Sequence, residues 1–234
     1  KLNKIVQKER FGTGDAVKTA CNNIDSLNDL VLILYGDTPF VKKETILNMY
    51  DKIKAGSDLC VIGFNSNNPT GYGRIISNGQ NKISEIIEDK EATTIQKEIK
   101  LCNSGIILTK KEALCDFLDK YNRDDYNLNY EFYLTDIVKY LNLKQKNCTY
   151  ITAEEDEVIG INNRHQLISA EKYNQSLIVD RLLSNGVTII NPETSYFANS
   201  INIKNDVIIY PNVFIGNDTF IESNSIIHSF SHIE

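Results

Sequence analysis

Short apolar runs alternate with segments of helical period over the first two-thirds of the chain. "DLVLILYG" (29–36), "DLCVIGF" (58–64), "NSGIILT" (103–109) and "CTYITA" (148–153) are apolar with little alternation, the pattern of strands covered on both faces. Between them, "KETILNMYDKI" (43–53), "KKEALCDFLDKY" (110–121) and "YLTDIVKYLNL" (133–143) carry apolar side chains at helical spacing. "GRIISNGQNKISEII" (73–87) differs: two short strands flank Asn78-Gly79, a hairpin signal. Strand–helix alternation of this kind predicts an α/β fold with a mostly parallel sheet and an antiparallel insertion.

A longer helical pattern runs from Asn163 to Ser184 and stops at Asn185-Gly186, which suits a linker helix. Beyond it the period changes to six. Ile occupies the same place in every block at 203, 209, 215, 221, 227 and 233, with Asn, Asp, Pro or Ser at the corners between. Neither a helix nor a plain strand has that period. It predicts a hexapeptide-repeat β-helix, each flat face turning one apolar side chain inward, with room for about two coils.

Composition narrows the function classes. Hydrophobic residues make up 41% and charged residues 24% of the 234, with a net charge of -6. A general electrostatic grip on nucleic acid or an anionic membrane is therefore not expected. A polyanionic small molecule would need backbone amides, a divalent cation or a few placed basic groups. Five cysteines with no C-x-x-C spacing fit reduced thiols in a cytoplasmic protein. No apolar run approaches the ~18 residues of a membrane span.

Several stretches could carry chemistry. Asp37 in "LYGDTPF" stands at the carboxyl end of a predicted strand, where ligands bind in open α/β sheets. Gly12-Thr13-Gly14 precedes a helical run, and Gly71 and Gly73 flank Tyr72, so backbone is approachable at both places. "GINNR" (160–164) puts two carboxamides at the mouth of a helix, and "EIIEDKEAT" (85–93) ends a strand in acids. Each has a plain structural explanation alone: a turn acid before Pro39, an N-cap, a loop, a solvated strand end. His228 and His232 fall in the repeats, where they read as surface residues rather than metal ligands.

Together, "Q-x4-GTG" (7–14), "LYGD" (34–37), "PTGYGR" (69–74), "NSG" (103–105), "YLTDI" (133–137) and "GINNR", followed by a helix and hexapeptide repeats, are far more specific. In this order they resemble the bifunctional N-acetylglucosamine-1-phosphate uridyltransferase/glucosamine-1-phosphate acetyltransferase (GlmU-type) family over essentially the whole chain. The resemblance implies a Rossmann-like, glycosyltransferase A-like uridyltransferase domain (1–164), a linker helix (165–185) and the start of a left-handed parallel β-helix (186–234). It implies synthesis of UDP-N-acetylglucosamine and pyrophosphate from UTP and N-acetylglucosamine 1-phosphate, in cell-wall and lipopolysaccharide precursor formation, with assembly as a homotrimer. Gln7, Gly12 and Thr13 match positions that hold the uracil. Tyr35 and Gly36 flank the nucleotide. Asp37 matches a Mg²⁺ ligand and Asn162 the second protein ligand. Gly73, Glu88 and Asn103 match contacts to the N-acetylglucosamine moiety, and Glu131, Tyr133 and Thr135 line the same pocket.

The family opens with a strand and a glycine-rich loop, approximately L-A-A-G-x-G-T-R-M, followed by a Lys, none of which occurs here. The chain is thus expected to lack the first strand and to stop within the β-helix. Weak sugar-nucleotide binding, poor turnover of UTP and no acetyltransferase activity follow as expectations. The alternative is a non-catalytic remnant, a sugar-nucleotide binding or assembly module.

Overall fold

In the computed structural model, residues 3–8, 10–24, 28–120 and 131–234 are described, and the chain divides into two units, Lys1–Gly160 and Ile161–Glu234. In the first unit the elements run α1 (Thr13–Cys21), β1 (Leu30–Ile33), α2 (Lys43–Lys54), β2 (Leu59–Asn65), β3 (Arg74–Ser77), β4 (Ile83–Ile87), α3 (Thr94–Lys97), β5 (Leu101–Lys110), α4 (Lys111–Lys120), α5 (Asp136–Leu143), β6 (Cys148–Thr152) and α6 (Glu155–Val158). Tyr121, the end of one predicted helix, lies outside the described residues.

The six strands form one sheet in the order β4-β3-β5-β2-β6, with β1 also paired to β5. β1, β2, β3 and β6 point one way, but β5 runs against them between β1 and β2. Only β2–β6 is a parallel ladder, so the sheet is mixed where the sequence pattern predicts it mostly parallel. An apolar run carries no mark of its own direction; the partner across the ladder sets it. The hairpin is present, but its loop spans 78–82, with Gly79, Gln80 and Asn81 all at positive φ.

Side chains of β2 alternate between two cores. Leu59 and Val61 pack with Leu114, Phe117, Ile137 and Leu141 of α4 and α5. Cys60, Ile62 and Phe64 pack with Met49 and Ile53 of α2 and with Val158. Helices on both faces explain why these strands are apolar throughout rather than alternating.

In the second unit, α7 (Arg164–Ser184) opens with a capping box, Asn163 and Gln166 each satisfying the other's backbone amide. Two-residue strands then stack in parallel: β7 (Thr188–Ile189), β10 (Ile208–Ile209) and β13 (Ile226–Ile227) on one face. β8 (Tyr196–Phe197), β11 (Phe214–Ile215) and β14 (His232–Ile233) form the second, β9 (Asn202–Ile203) and β12 (Phe220–Ile221) the third. Ile203, Ile209, Ile215 and Ile221 are buried, and Ile227 and Ile233 pack partly against them. Asp206, Asn212, Asp218 and Asn224 turn the corners at positive φ, which Asn and Asp tolerate best among non-glycine residues. α7 adds Ile178 and Leu182 to this core, and Gln175 exchanges hydrogen bonds with the backbone of Phe197.

Candidate functional site

The site in the first unit grows from an irregularity in β5. Between the pairs Val61–Ile107 and Gly63–Asn103, one residue of β2 faces three of β5: Ser104, Gly105 and Ile106. The "NSG" triplet builds this bulge. Asn103 Oδ1 accepts from the Gly105 amide (3.0 Å), and Ser104 Oγ donates to the Ile62 carbonyl (2.7 Å) while accepting from the Ile106 amide (3.2 Å). The bulged backbone groups thus keep partners. Gly105 sits at φ +84, and an added Cβ would meet the Tyr35 ring.

Tyr35 follows β1. Thr38 holds the turn beyond it by donating from both its amide and its hydroxyl to the Tyr35 carbonyl (3.4 and 3.0 Å). Burial pushes the Tyr35 hydroxyl pKa up; a hydrogen bond shared with Thr13 lowers it, and the charges of Glu88 and Asp37 raise it again. Thr13 Oγ1 accepts from the amide of Leu134 (3.0 Å). Beside it, Gly12 at φ +110 leaves space for segment 131–132: a Cβ there would stand 2.4 Å from the Phe132 carbonyl oxygen. The GTG stretch therefore serves close approach of the chain itself, and the Gly14 amide is taken by that same carbonyl (2.9 Å).

Thr135, buried, donates to Glu88 Oε1 (2.7 Å). The other oxygen of Glu88 lies 3.5 Å from where a Cβ on Gly73 would be, and the Gly73 carbonyl accepts from the Asn103 amide (2.8 Å). These contacts close a circuit: Gly73, Asn103, Gly105, Tyr35, Thr13, Leu134–Thr135, Glu88, and back to Gly73. It contains no Lys or Arg. Tyr133 stands next to it, its hydroxyl donating to Glu131 Oε2 (3.0 Å). Burial, that bond and the charges of Glu131, Glu91 and Glu88 raise its pKa to about 12.

Asp37 is half-buried, and its carboxylate has no hydrogen bond or ion pair among the described residues. Gly36 before it has open space on its Cβ side. A half-buried, unpartnered carboxylate offers oxygen to a hard cation, and such a donor suits Mg²⁺, which takes one or two protein ligands and the rest from phosphates and water. Among the described residues no group of three or more His, Cys, Asp or Glu forms a protein-only metal cage. Asn162 belongs to the second unit, exposed, its amide donating to Gln166 Oε1 (2.7 Å).

Gln7 lines a separate cleft of about 550 Å³ beside α1, with Lys4, Lys8, Asp15, Thr19 and Asn23. Its Nε2 donates to Asp15 Oδ2 (2.6 Å) and to the Gly12 carbonyl (3.4 Å), which joins it to the GTG stretch. The sequence marks "NSG" (103–105) as a motif but gives no role to Ser104, Gly105 or the Leu134 amide. A Gly inside an apolar strand is the one signal that a bulge lies there.

The nucleotidyl transferase family profile matches residues 1–176. The bifunctional protein GlmU of Brucella anthropi is 42% identical over 228 residues, covering 97% of this chain and 50% of that protein. That of Bartonella quintana is 38% identical over 229 residues, again covering 97% and 50%. The chain spans about half the length of the curated relatives it matches. Among solved structures, a nucleoside-diphosphate-sugar pyrophosphorylase from Vibrio cholerae superposes with a TM-score of 0.51 at 16% identity, covering 70% of this chain and 66% of that one, which shows a shared fold.

Proposed function

The chain belongs to the nucleotidyl transferase family, and from that premise we propose that it makes UDP-N-acetylglucosamine and pyrophosphate from UTP and N-acetylglucosamine 1-phosphate. The observation that carries the proposal is the closed circuit, which unites Thr13, Tyr35, Gly73, Glu88, Asn103 and Thr135 around one spot. Similarity to bifunctional GlmU proteins supports the choice of base and sugar.

A phosphate oxygen of the sugar 1-phosphate attacks the α-phosphorus of UTP; a P–O bond forms, the bond to the β-phosphate oxygen breaks, and pyrophosphate leaves. The protein's part is alignment. Gln7, Gly12 and Thr13 take the uracil. The amide hydrogens of Gln7 are committed to Asp15 and Gly12, so its carbonyl oxygen is the atom offered to a pyrimidine N–H. Gly73, Glu88, Asn103 and Thr135 form the sugar wall, with Glu131 and Tyr133 at its rim, and Tyr35 and Gly36 flank the nucleotide. Nucleotidyl transferases are generally metal-dependent. We assign Mg²⁺ to the Asp37 carboxylate; bound there, it would neutralise charge on the phosphates. No Ser, Cys or His nucleophile is needed. A cytoplasmic location and homotrimeric assembly through the β-helix belong to the same proposal; among the described residues no helix is long and apolar enough to cross a membrane.

The test is pyrophosphate release by the full-length encoded protein from UTP, Mg²⁺ and N-acetylglucosamine 1-phosphate, beside glucose 1-phosphate and other nucleoside triphosphates. Selective release with the stated pair is expected. Binding of the sugar nucleotide without turnover would favour a non-catalytic module instead.

A further inference from the structure

Arg74 heads the fully buried side chains by size, at 1% exposure, and has no part in the circuit above. Its Nη1 donates to the Tyr72 carbonyl, and its Nη2 donates to Asp89 Oδ1 (3.0 Å) and the Lys97 carbonyl (3.3 Å). Asp89 in turn accepts from the Gly71 amide. One ion pair therefore joins the 71–73 loop to the 88–89 strand end and to the close of α3.

Stability alone is a poor account of it. Burying a guanidinium is costly even when it is paired, and an apolar side chain of similar volume often serves a core as well or better. Here the Nε is buried with no hydrogen-bond partner among the described residues, a further cost. What the pair does accomplish is geometric. The two segments it joins carry Gly73 and Glu88, which lie against each other, Glu88 Oε2 being 3.5 Å from where a Cβ on Gly73 would stand.

We propose that the Arg74–Asp89 ion pair is a positioning device for the sugar wall, holding the Gly73 backbone and the Glu88 carboxylate at the separation that admits the N-acetylhexosamine moiety. The proposal rests on the sugar-nucleotide assignment above. The planar fork of arginine meets Asp89, Tyr72 and Lys97 together; the single ammonium of lysine does not reproduce that geometry.

The experiment is calorimetric titration of the chain with UDP-N-acetylglucosamine and with UDP, for the wild type, Arg74→Lys and Asp89→Asn. Wild type should bind the sugar nucleotide more tightly than UDP. Both variants should lose that preference, the sugar-nucleotide affinity falling about tenfold while UDP affinity holds within about twofold. A general loss of structure would weaken both ligands alike and overturn the positioning role, as would an unchanged preference. If Arg74→Lys does not fold, Asp89→Asn decides, because the Asp89 side chain is 24% exposed and water can reach the altered group. A wild type without preference for the sugar nucleotide would overturn the functional assignment itself, and this inference with it.

Discussion

The backbone of Gly105 lies directly against the ring of Tyr35: a Cβ on Gly105 would stand 2.0 Å from Tyr35 Cε2. Two motifs separated by a long stretch of chain are fitted to each other at that contact, and the residue's φ of +84 would strain any side chain on its own account.

Gly105→Ala should therefore displace Tyr35 as well as strain the bulge. A stability loss of roughly 1–3 kcal/mol is expected. Urea unfolding of Gly105→Ala, Tyr35→Ala and the double variant measures it. Much of the steric part should vanish when the ring is removed, giving a coupling of at least about 0.5 kcal/mol. Strict additivity would show that the two residues do not press on each other in solution.

Asp37→Ala should behave in the opposite way. The turn after β1 is held by Thr38 rather than by the Asp37 carboxylate, so thermal stability should change by no more than about 0.5 kcal/mol. Mg²⁺-dependent turnover by the full-length protein should disappear. Large destabilisation with activity retained would make Asp37 an ordinary turn residue.

Tyr133 should titrate late. Its pKa is raised from the usual 10.0 to about 12 by burial, by the bond to Glu131 and by surrounding carboxylates. The folded state keeps this proton longer than the unfolded one, so the contribution is complete below pH about 10 and is lost as pH rises toward about 12. Subtracting the phenolate absorbance titration of Tyr133→Phe from that of the wild type isolates the group. A midpoint near the ordinary tyrosine value would mean that the Glu131 contact does not persist.

Asp58 carries the acid-side counterpart. Burial pushes its pKa up, but the Asn147 amide (2.9 Å), Lys110 Nζ (2.9 Å) and the charge of Lys146 outweigh burial and hold it below the ordinary carboxylate value. The unfolded chain thus takes up this proton first as pH falls. The stabilisation is full above pH about 4 and is lost as pH drops through the lowered folded value. Asp58→Asn should cost about 1–3 kcal/mol at neutral pH, with its urea midpoint converging on that of the wild type in acid. A constant gap at all pH values would count against the charge as the cause.

The period-six Ile positions mark the β-helix locally, because each block of six makes one face of a coil and its inward place recurs in every block. The alternation of apolar runs and helical segments likewise specifies a layered α/β unit, since burial on both faces leaves its mark on each strand. The residue types of the site are visible too: an acid at a strand end, glycines beside aromatic residues, Asn103-Ser104-Gly105 inside an apolar run. The reversed direction of β5, the Thr13 hydroxyl under the Leu134 amide 121 residues away, the Thr135–Glu88 bond across 47, and the Arg74–Asp89 pair across 15 have no local period to announce them. They exist because the packed sheet brings remote polar groups together out of water, where each must find a partner, and that pairing is a property of the folded chain rather than of any stretch within it.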